Sequence, residues 1–186
     1  MSGFNSVLLQ EPMKNISSIR QATIHDSNLL TEIAKASFLE SHGHSASEVD
    51  IESYVNEKFT DQVFQNELKD EKNIYNLIYY HETPAGYSKI ILNSKGPNLP
   101  TENLTKLERL YLLKSFYGLG LGKTLFDMNV DFSKAKNQLG MWLYVWKENE
   151  RAIQFYNQNG FEIIGSYDFK ISHRHSNPNH QMLLNY

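Results

Sequence analysis

The chain has 186 residues and a mass of 21.6 kDa, which is the size of one domain. With 40% hydrophobic residues it can bury a core, and without cysteine it has no disulfide framework, thiolate metal site or catalytic thiol. A net charge of −3 does not favour nucleic acid as a partner. No apolar run has membrane-spanning length and no secretory signal pattern is present, so we expect a cytoplasmic protein with no membrane partner.

Residues 1–17 are polar and patternless, and we expect a flexible leader before a single domain of residues 18–186. A first strand is predicted over about residues 16–23. An amphipathic helix follows over 26–41, with Asp26 as its N-cap. The remaining predicted elements are helices over 47–57 and 61–70, strands over 74–80, 87–92 and 104–113, a helix over 119–136, a strand over 141–146, a helix over 148–158, and strands over 161–171 and 180–184.

This order of elements predicts a mixed α/β sheet. Turn residues Thr83-Pro84-Ala85-Gly86 join two strands into an antiparallel hairpin. A βαβ crossover follows, and the chain ends with two antiparallel strands. Such an order favours a mixed sheet with helices on both faces.

A glycine-rich loop over residues 118–124, Gly-Leu-Gly-Leu-Gly-Lys-Thr, joins a predicted strand to a predicted helix. A nucleotide-binding P-loop would need its first glycine where Tyr117 stands. The dinucleotide fingerprint would need its third glycine where Lys123 stands. Gly120 and Gly122 still allow backbone N–H groups to face a phosphate at a helix N-terminus, although a tight turn without ligand explains them equally well.

Three stretches together resemble the GNAT N-acetyltransferases. Gly120 and Gly122 match the family's pyrophosphate loop, Q/R-x-x-G-x-G/A. Residues 149–161 match N-x-x-A-x-x-F-Y-x-x-x-G-F, and residues 107–112 resemble the family's central strand. Two segments, residues 108–116 and 142–150, resemble the PaiA-like polyamine N-acetyltransferases of bacteria.

The resemblance implies a GNAT fold, with a mostly antiparallel central sheet of about seven strands. It also implies an acyltransferase in which a primary amine attacks acetyl-CoA directly, so that acetyl-CoA is the co-substrate and no metal is required. Dimers are common in the family, which leaves a homodimer open as an assembly.

In the family, the pantetheine arm of CoA lies between two strands that splay apart. The resemblance implies that these are the strand that ends at Leu112 and the next strand, over residues 141–146. Asn149 matches the pantetheine contact, and a plain helix N-cap role is compatible with it. At Tyr117 the chain departs from the family's Gln or Arg, so a side-chain donor to phosphate is lost and the backbone N–H remains. The residues expected to bind acetyl-CoA are Leu110, Tyr111, Leu112, Tyr117, Gly118, Leu119, Gly120, Leu121, Gly122, Lys123 and Asn149.

Two residues are candidates for proton transfer. Tyr156 matches the family's general acid, which protonates the leaving thiolate, although a core tyrosine has the same pattern. An alkylammonium has a pKa of ~10.4, so the acceptor amine needs a base. Glu108 is the candidate, acting through water, because it shares strand parity with Leu110 and Leu112; a salt bridge with a nearby Lys or Arg is the alternative.

The identity of the acceptor amine is the part of the reaction that the sequence determines least. Residues 40–71 hold nine acidic residues and two lysines, which favours a cationic acceptor such as spermidine or spermine; solvated helix faces explain the same charges. Glu40 and Trp146 are the predicted substrate-binding residues. Other acceptors remain open (a peptide N-terminus, a protein lysine, an aminoglycoside), as does a non-catalytic acyl-CoA sensor. The histidines at 42, 44, 173, 175 and 180 are predicted to lie in polar loops and to bind no metal.

Overall fold

A seven-stranded sheet organises the protein in the computed structural model, which describes residues 17–186. The proposed leader lies outside the described residues, except for Ser17, which begins the first strand. The strands are β1 (Ser17–Gln21), β2 (Asn73–Tyr80), β3 (Thr83–Ile91), β4 (Thr105–Leu112), β5 (Gly140–Trp146), β6 (Glu162–Lys170) and β7 (Ser176–Asn185). The helices are α1 (Ser27–His42), α2 (Glu48–Lys58), α3 (Asp61–Lys69), α4 (Leu121–Ala135) and α5 (Glu150–Gln158), with 3₁₀ turns at Ile24–Asp26 and Lys114–Phe116.

The strands lie in the order β1-β2-β3-β4-β5-β7-β6. Every neighbouring pair is antiparallel except β4 and β5, which are parallel. The predicted order of elements and the mixed, mostly antiparallel sheet are confirmed.

Helices α1, α2 and α3 cover one face of the sheet. The apolar stripe predicted for α1 is buried there, with Leu30, Ile33 and Phe38 at most 4% exposed. They pack with Phe59 and Phe64 in one apolar cluster. Fully burying a side chain of this size stabilises the fold by about 1.5–3 kcal/mol, so the stripe holds the helices on the sheet.

Helices α4 and α5 cover the opposite face. Phe126 of α4 packs with Met141 of β5 and with Phe161, which follows α5. Leu121 and Leu125 form a second cluster against the other half of the sheet. Helices therefore lie on both faces, as predicted.

The turn between β2 and β3 is not where the sequence places it. The predicted turn over residues 83–86 is wrong, because the chain reverses at His81 and Glu82, which have φ values of 45° and 66°. Gly86 instead lies inside β3. A Cβ there would come within 2.3 Å of the carbonyl oxygen of Tyr111, so the glycine permits close approach of two strands.

Asp26 stands before α1 as predicted, but its side chain does not cap the helix. Its carboxylate accepts two hydrogen bonds from the Arg20 guanidinium, at 2.6 and 2.8 Å, and one from the backbone N–H of Thr23, at 2.8 Å. These bonds, above all those from Arg20, hold the pKa of Asp26 well below its usual range. The carboxylate therefore ties β1 to the start of α1.

Two of the predicted loop histidines lie in regular structure. His42 is the last residue of α1, and His180 lies inside β7 because that strand begins at Ser176. The early start follows from pairing with β6, which extends to Ser176, and from Asn179 onward the strand also pairs with β5. Ladder hydrogen bonds to two neighbours outweigh the low strand propensity of this polar segment.

The parallel strands β4 and β5 separate soon after they meet. Over the described residues, only Thr105 and Lys106 of β4 have partners on β5, namely Met141 and Trp142. The remainder of β4 therefore has an unpaired edge facing β5, which confirms the predicted splay. This opening positions the site.

Candidate active site

Two clefts meet where β4 and β5 separate. One, of about 290 Å³, has aromatic walls that include Tyr54, Tyr144 and Trp146; we call it the aromatic cleft. The other, of about 170 Å³, is lined by Tyr117 and Gly122; we call it the loop cleft. Residues that line both clefts mark the junction between them. They are Leu110, Tyr111, Asn149, Ala152 and Tyr156.

The glycine loop borders the loop cleft. Gly118 and Gly120 have φ values of 80° and 76°, a left-handed conformation that glycine adopts without strain. Within residues 17–186, no carbonyl or side chain accepts a hydrogen bond from the backbone N–H groups of residues 118–123. The first closed bond of the helix runs from Thr124 N–H to the Gly120 carbonyl. Consecutive N–H groups at a helix N-terminus can bind an anion, as the sequence predicts.

Two groups of this loop that the sequence predicts to bind CoA already have partners within the protein. The backbone N–H of Tyr117 donates to the carbonyl of Lys114 at 3.1 Å. The Lys123 ammonium is paired with both oxygens of Asp127, at 2.5 and 2.6 Å. Leu119 is exposed, and Leu121 is buried. Within residues 17–186, the donors of this loop without a partner are therefore the backbone N–H groups of residues 118–123.

Glu108 is an inserted residue in β4. Arg109 pairs with Lys89 of β3, but the next pair joins Leu107 to Ile90, so Glu108 forms a bulge. Strand parity therefore does not determine on which side of β4 Glu108 lies, although both Glu108 and Leu110 line the aromatic cleft.

The Glu108 side chain lines the aromatic cleft and is ion-paired with Lys106 at 2.5 Å. That salt bridge is the alternative left open by the sequence. The Lys106 ammonium also lies 5.0 Å from the Trp142 ring and 5.5 Å from the Tyr144 ring. Glu108 and these rings thus already surround one alkylammonium group.

Tyr156 lies at the junction of the clefts. It projects from α5, is only 9% exposed and packs edge-on against Phe155 and Phe161. Burial raises the pKa of its phenol well above the ordinary value. The hydroxyl therefore stays protonated at working pH and can donate a proton to a group formed beside it.

Asn149 begins α5. Its Oδ1 accepts a hydrogen bond from the backbone N–H of Ala152 at 3.1 Å, so it is a helix N-cap, and it also lines both clefts. The capping bond fixes the first turn of α5, and Tyr156 projects from the same helix about two turns further on.

Helices α1 and α2 contribute His42 and Tyr54 to the aromatic cleft, but no carboxylate of residues 40–71 lines it. Among the described residues, Glu108 is the one carboxylate in its lining. Glu40, a predicted substrate-binding residue, lies outside it and accepts a hydrogen bond from the backbone N–H of Lys114 at 2.7 Å. Trp146, the other predicted substrate-binding residue, does line the aromatic cleft.

Glu67 of α3 is half-buried, with its side chain 24% exposed, in an ion cluster against the sheet. Its carboxylate pairs with Lys89 at 2.9 Å and Arg109 at 3.5 Å, and it accepts a hydrogen bond from the Tyr75 hydroxyl. Burial alone would raise the pKa of Glu67, but the two cations outweigh it and lower the pKa. The negative charge of Glu67 is therefore neutralised by two cations of the fold itself.

His42 is a cleft residue that the sequence reasoning missed. Its ring stacks on Phe38 at 5.1 Å and lies 5.8 Å from the Trp146 ring. Burial, with a smaller effect of nearby His44, lowers the pKa of His42 to about 4, so the imidazole is neutral at pH 7. The signal was present, because residue 42 continues the apolar stripe of α1 one turn beyond Phe38.

The Ser41 hydroxyl lies 2.7 Å from the Ser37 carbonyl oxygen and also 2.7 Å from Nδ1 of His42. A hydroxyl has one proton, so the tautomer of His42 decides which of the two accepts it.

Over residues 17–186, no group of three or more acidic or histidine side chains is arranged to hold a metal ion. In the same range, no helix is long and apolar enough to cross a membrane.

The splayed strands, the glycine loop and Tyr156 lie together, which is the arrangement that the resemblance to the GNAT acyltransferases implies. The sequence profile of the acetyltransferase (GNAT) family matches residues 30–161, well over half of the chain. The protein belongs to this family and is an N-acetyltransferase by family, and its fold is the GNAT fold.

Two N-acetyltransferases are similar to this chain over about three quarters of its length. A spermidine N(1)-acetyltransferase of Thermoplasma acidophilum is 28% identical over 149 residues, covering 78% of this chain and 88% of that protein. An uncharacterized N-acetyltransferase of Lactobacillus delbrueckii subsp. lactis, from the pepI 3' region, is 26% identical over 137 residues, 74% of this chain and 79% of that one.

Among solved structures, the crystal structure of the PaiA N-acetyltransferase from Thermoplasma acidophilum in complex with coenzyme A is similar throughout. The TM-score is 0.74 at 26% identity, and the match covers 91% of this chain and 99% of that one. The predicted similarity to PaiA-like enzymes is confirmed.

Proposed function

We propose that this protein transfers the acetyl group of acetyl-CoA to a primary amine of a polyamine such as spermidine or spermine. The observation that carries the proposal is the junction of the two clefts, where Tyr156 lines both. A co-substrate in the loop cleft and an acceptor in the aromatic cleft would meet there.

The loop cleft fits acetyl-CoA. The N–H groups of residues 118–123 suit the phosphates, and the unpaired edge of β4, which includes Leu110 and Leu112, suits the amides of the pantetheine arm. Acetyl-CoA supplies an activated acetyl thioester. One backbone N–H aimed at the thioester oxygen would stabilise the tetrahedral intermediate by roughly 3 kcal/mol.

The aromatic cleft suits an aliphatic amine. Aromatic faces attract ammonium groups, and Glu108 supplies a carboxylate beside them. Lys106 is an example of such binding, because its side-chain ammonium lies against the Glu108 carboxylate and two aromatic rings. The named relative that acts on spermidine supports the same acceptor class. The acidic helices lend no support, since their carboxylates are absent from the cleft lining.

Three proton transfers complete the proposed reaction. Glu108, through water, takes a proton from the ammonium so that the nitrogen lone pair can attack. The C–N bond forms and the C–S bond breaks, and the Tyr156 hydroxyl gives its proton to the departing sulfur. The second proton of the new C–N nitrogen then passes through water to the tyrosinate, which restores the phenol and leaves a neutral amide. The desolvation that raises the pKa of Tyr156 also raises the proton affinity of a thiolate beside it, so the transfer remains feasible.

A thiol-release assay with acetyl-CoA tests the proposal. The panel contains spermidine, spermine, an aminoglycoside, a lysine-containing peptide and a blank without acceptor. We expect release above the blank with the two polyamines and none with the peptide. Release with the peptide or aminoglycoside but not with a polyamine would refute the acceptor class, and silence across the panel with measurable CoA binding would favour a sensor.

A further inference from the structure

We infer that Arg151 binds the pyrophosphate of CoA, held in place by the ring of Tyr117, and so replaces the donor that the loop lacks at position 117. The inference rests on the use of CoA and is independent of which amine is the acceptor.

The two side chains meet across the mouth of the loop cleft. The Arg151 guanidinium carbon lies 3.8 Å from the centre of the Tyr117 ring, and both residues line the loop cleft. Arg151 extends from the first turn of α5, whereas Tyr117 immediately precedes the glycine loop. The contact therefore brings a cation from one helix over the loop that precedes another.

The stack leaves the guanidinium able to bind a phosphate. A guanidinium that lies on an aromatic face keeps its N–H donors in its own plane, directed outward. In residues 17–186, Arg151 has no carboxylate within ion-pair distance. The neighbouring cation Lys123 is already paired with Asp127. Arg151 is thus the cation of the loop cleft that has no acidic partner in the described part of the chain.

The position of Arg151 also calls for an anion. The N-terminus of a helix carries partial positive charge, and a cation in its first turn is disfavoured there. The loop cleft is bordered by two such ends, those of α4 and α5. An anion between them would satisfy both ends and the guanidinium, whereas without one the three positive groups repel.

Tyr117 then has a defined role. It cannot donate a side-chain bond as the family's Gln or Arg would, and its backbone N–H is used by Lys114. Its ring instead restricts Arg151 to one region. The departure from the family pattern moves the phosphate donor from the loop to α5.

Calorimetric titration of CoA into the protein without acceptor tests this. Arg151→Gln removes the charge and leaves a shorter polar side chain. We expect its Kd for CoA to rise about tenfold, the size of one exposed charge-assisted contact. Lys147→Gln is the matched control, since it removes the same charge from an exposed residue near α5 that lines neither cleft; we expect a change below about twofold.

Three further variants separate this role from a structural one. Tyr117→Leu should weaken CoA binding less than Arg151→Gln, and the double variant should bind no more weakly than Arg151→Gln, because the ring acts through the guanidinium. Tyr117→Arg in the Arg151→Gln background should restore most of the affinity. Melting temperatures of the ligand-free variants confirm folding.

Dephospho-CoA, which lacks the 3'-phosphate, identifies the phosphate. The same fold-loss with CoA and dephospho-CoA supports contact with the pyrophosphate. A loss that disappears with dephospho-CoA would overturn that contact in favour of the 3'-phosphate. Equal affinity of wild type and Arg151→Gln for CoA would overturn the inference outright while leaving the acetyltransferase proposal intact. Absence of polyamine turnover by the wild type, together with the expected loss of CoA affinity in Arg151→Gln, would overturn the polyamine proposal and leave this inference intact.

Discussion

Replacing Gly120 with alanine separates backbone strain from crowding in the glycine loop. Gly120 has φ 76°, and a Cβ there would meet no atom within 4 Å. The cost is therefore the left-handed conformation alone, about 1–2 kcal/mol. Gly122 lies in the first turn of α4, where a Cβ would be in ordinary contact with Leu112 Cδ1 at 3.5 Å. Alanine there should stabilise the helix by roughly 0.5–1 kcal/mol.

The same substitution two residues apart should thus change stability in opposite directions. Thermal unfolding of the ligand-free variants measures this, at about 2–4 °C per kcal/mol for a chain of this length. We expect Gly120→Ala to lower the melting temperature by about 2–8 °C and Gly122→Ala to raise it by about 1–4 °C. Equal decreases would show that space limits the loop, and an unchanged Gly120→Ala would show that the left-handed conformation is not required.

Three other predictions concern the site and the fold. Tyr156→Phe should lower kcat by about 10²-fold or more while leaving the Kd for CoA unchanged, as measured by steady-state kinetics and calorimetry; unaltered kcat would exclude the general acid role. His42 is protonated in the unfolded chain below about pH 6.5 but stays neutral in the fold down to about pH 4, so stability is present above pH 6.5 and declines as pH falls between these values. His42→Phe should flatten that decline in urea unfolding curves, and identical slopes would contradict it. Glu67→Gln should leave the buried Lys89 and Arg109 without their carboxylate and lower the free energy of unfolding by about 3 kcal/mol, and a loss below about 1 kcal/mol would contradict this account.

Local signals predicted the framework well. The stripe of α1, the glycine loop and the N-cap at Asn149 each depend on residues close in sequence, so their spacing was sufficient. The motif selected Tyr156 as a candidate, and the structure places it at the junction of the two clefts.

Features that depend on distant partners were not predictable. The bulge at Glu108 arises from the register of β3 against β4, and a single inserted residue reverses strand parity. The negative charge of Glu67 on α3 is neutralised by Lys89 of β3 and Arg109 of β4, which are distant in sequence. An acidic count along the sequence cannot distinguish such an ion-paired carboxylate from one that faces a cleft.

The short parallel contact between β4 and β5 has a mechanical consequence. Residues from β1 to β4 and residues from β5 to β7 form two plates of one sheet, joined in register only at Thr105 and Lys106. A pantetheine arm hydrogen-bonded in the opening would act as a spacer strand that couples the plates. Acetyl-CoA at 100 times its Kd would add about 2.7 kcal/mol to the free energy of unfolding. The stability of the sheet would therefore rise with the concentration of the co-substrate.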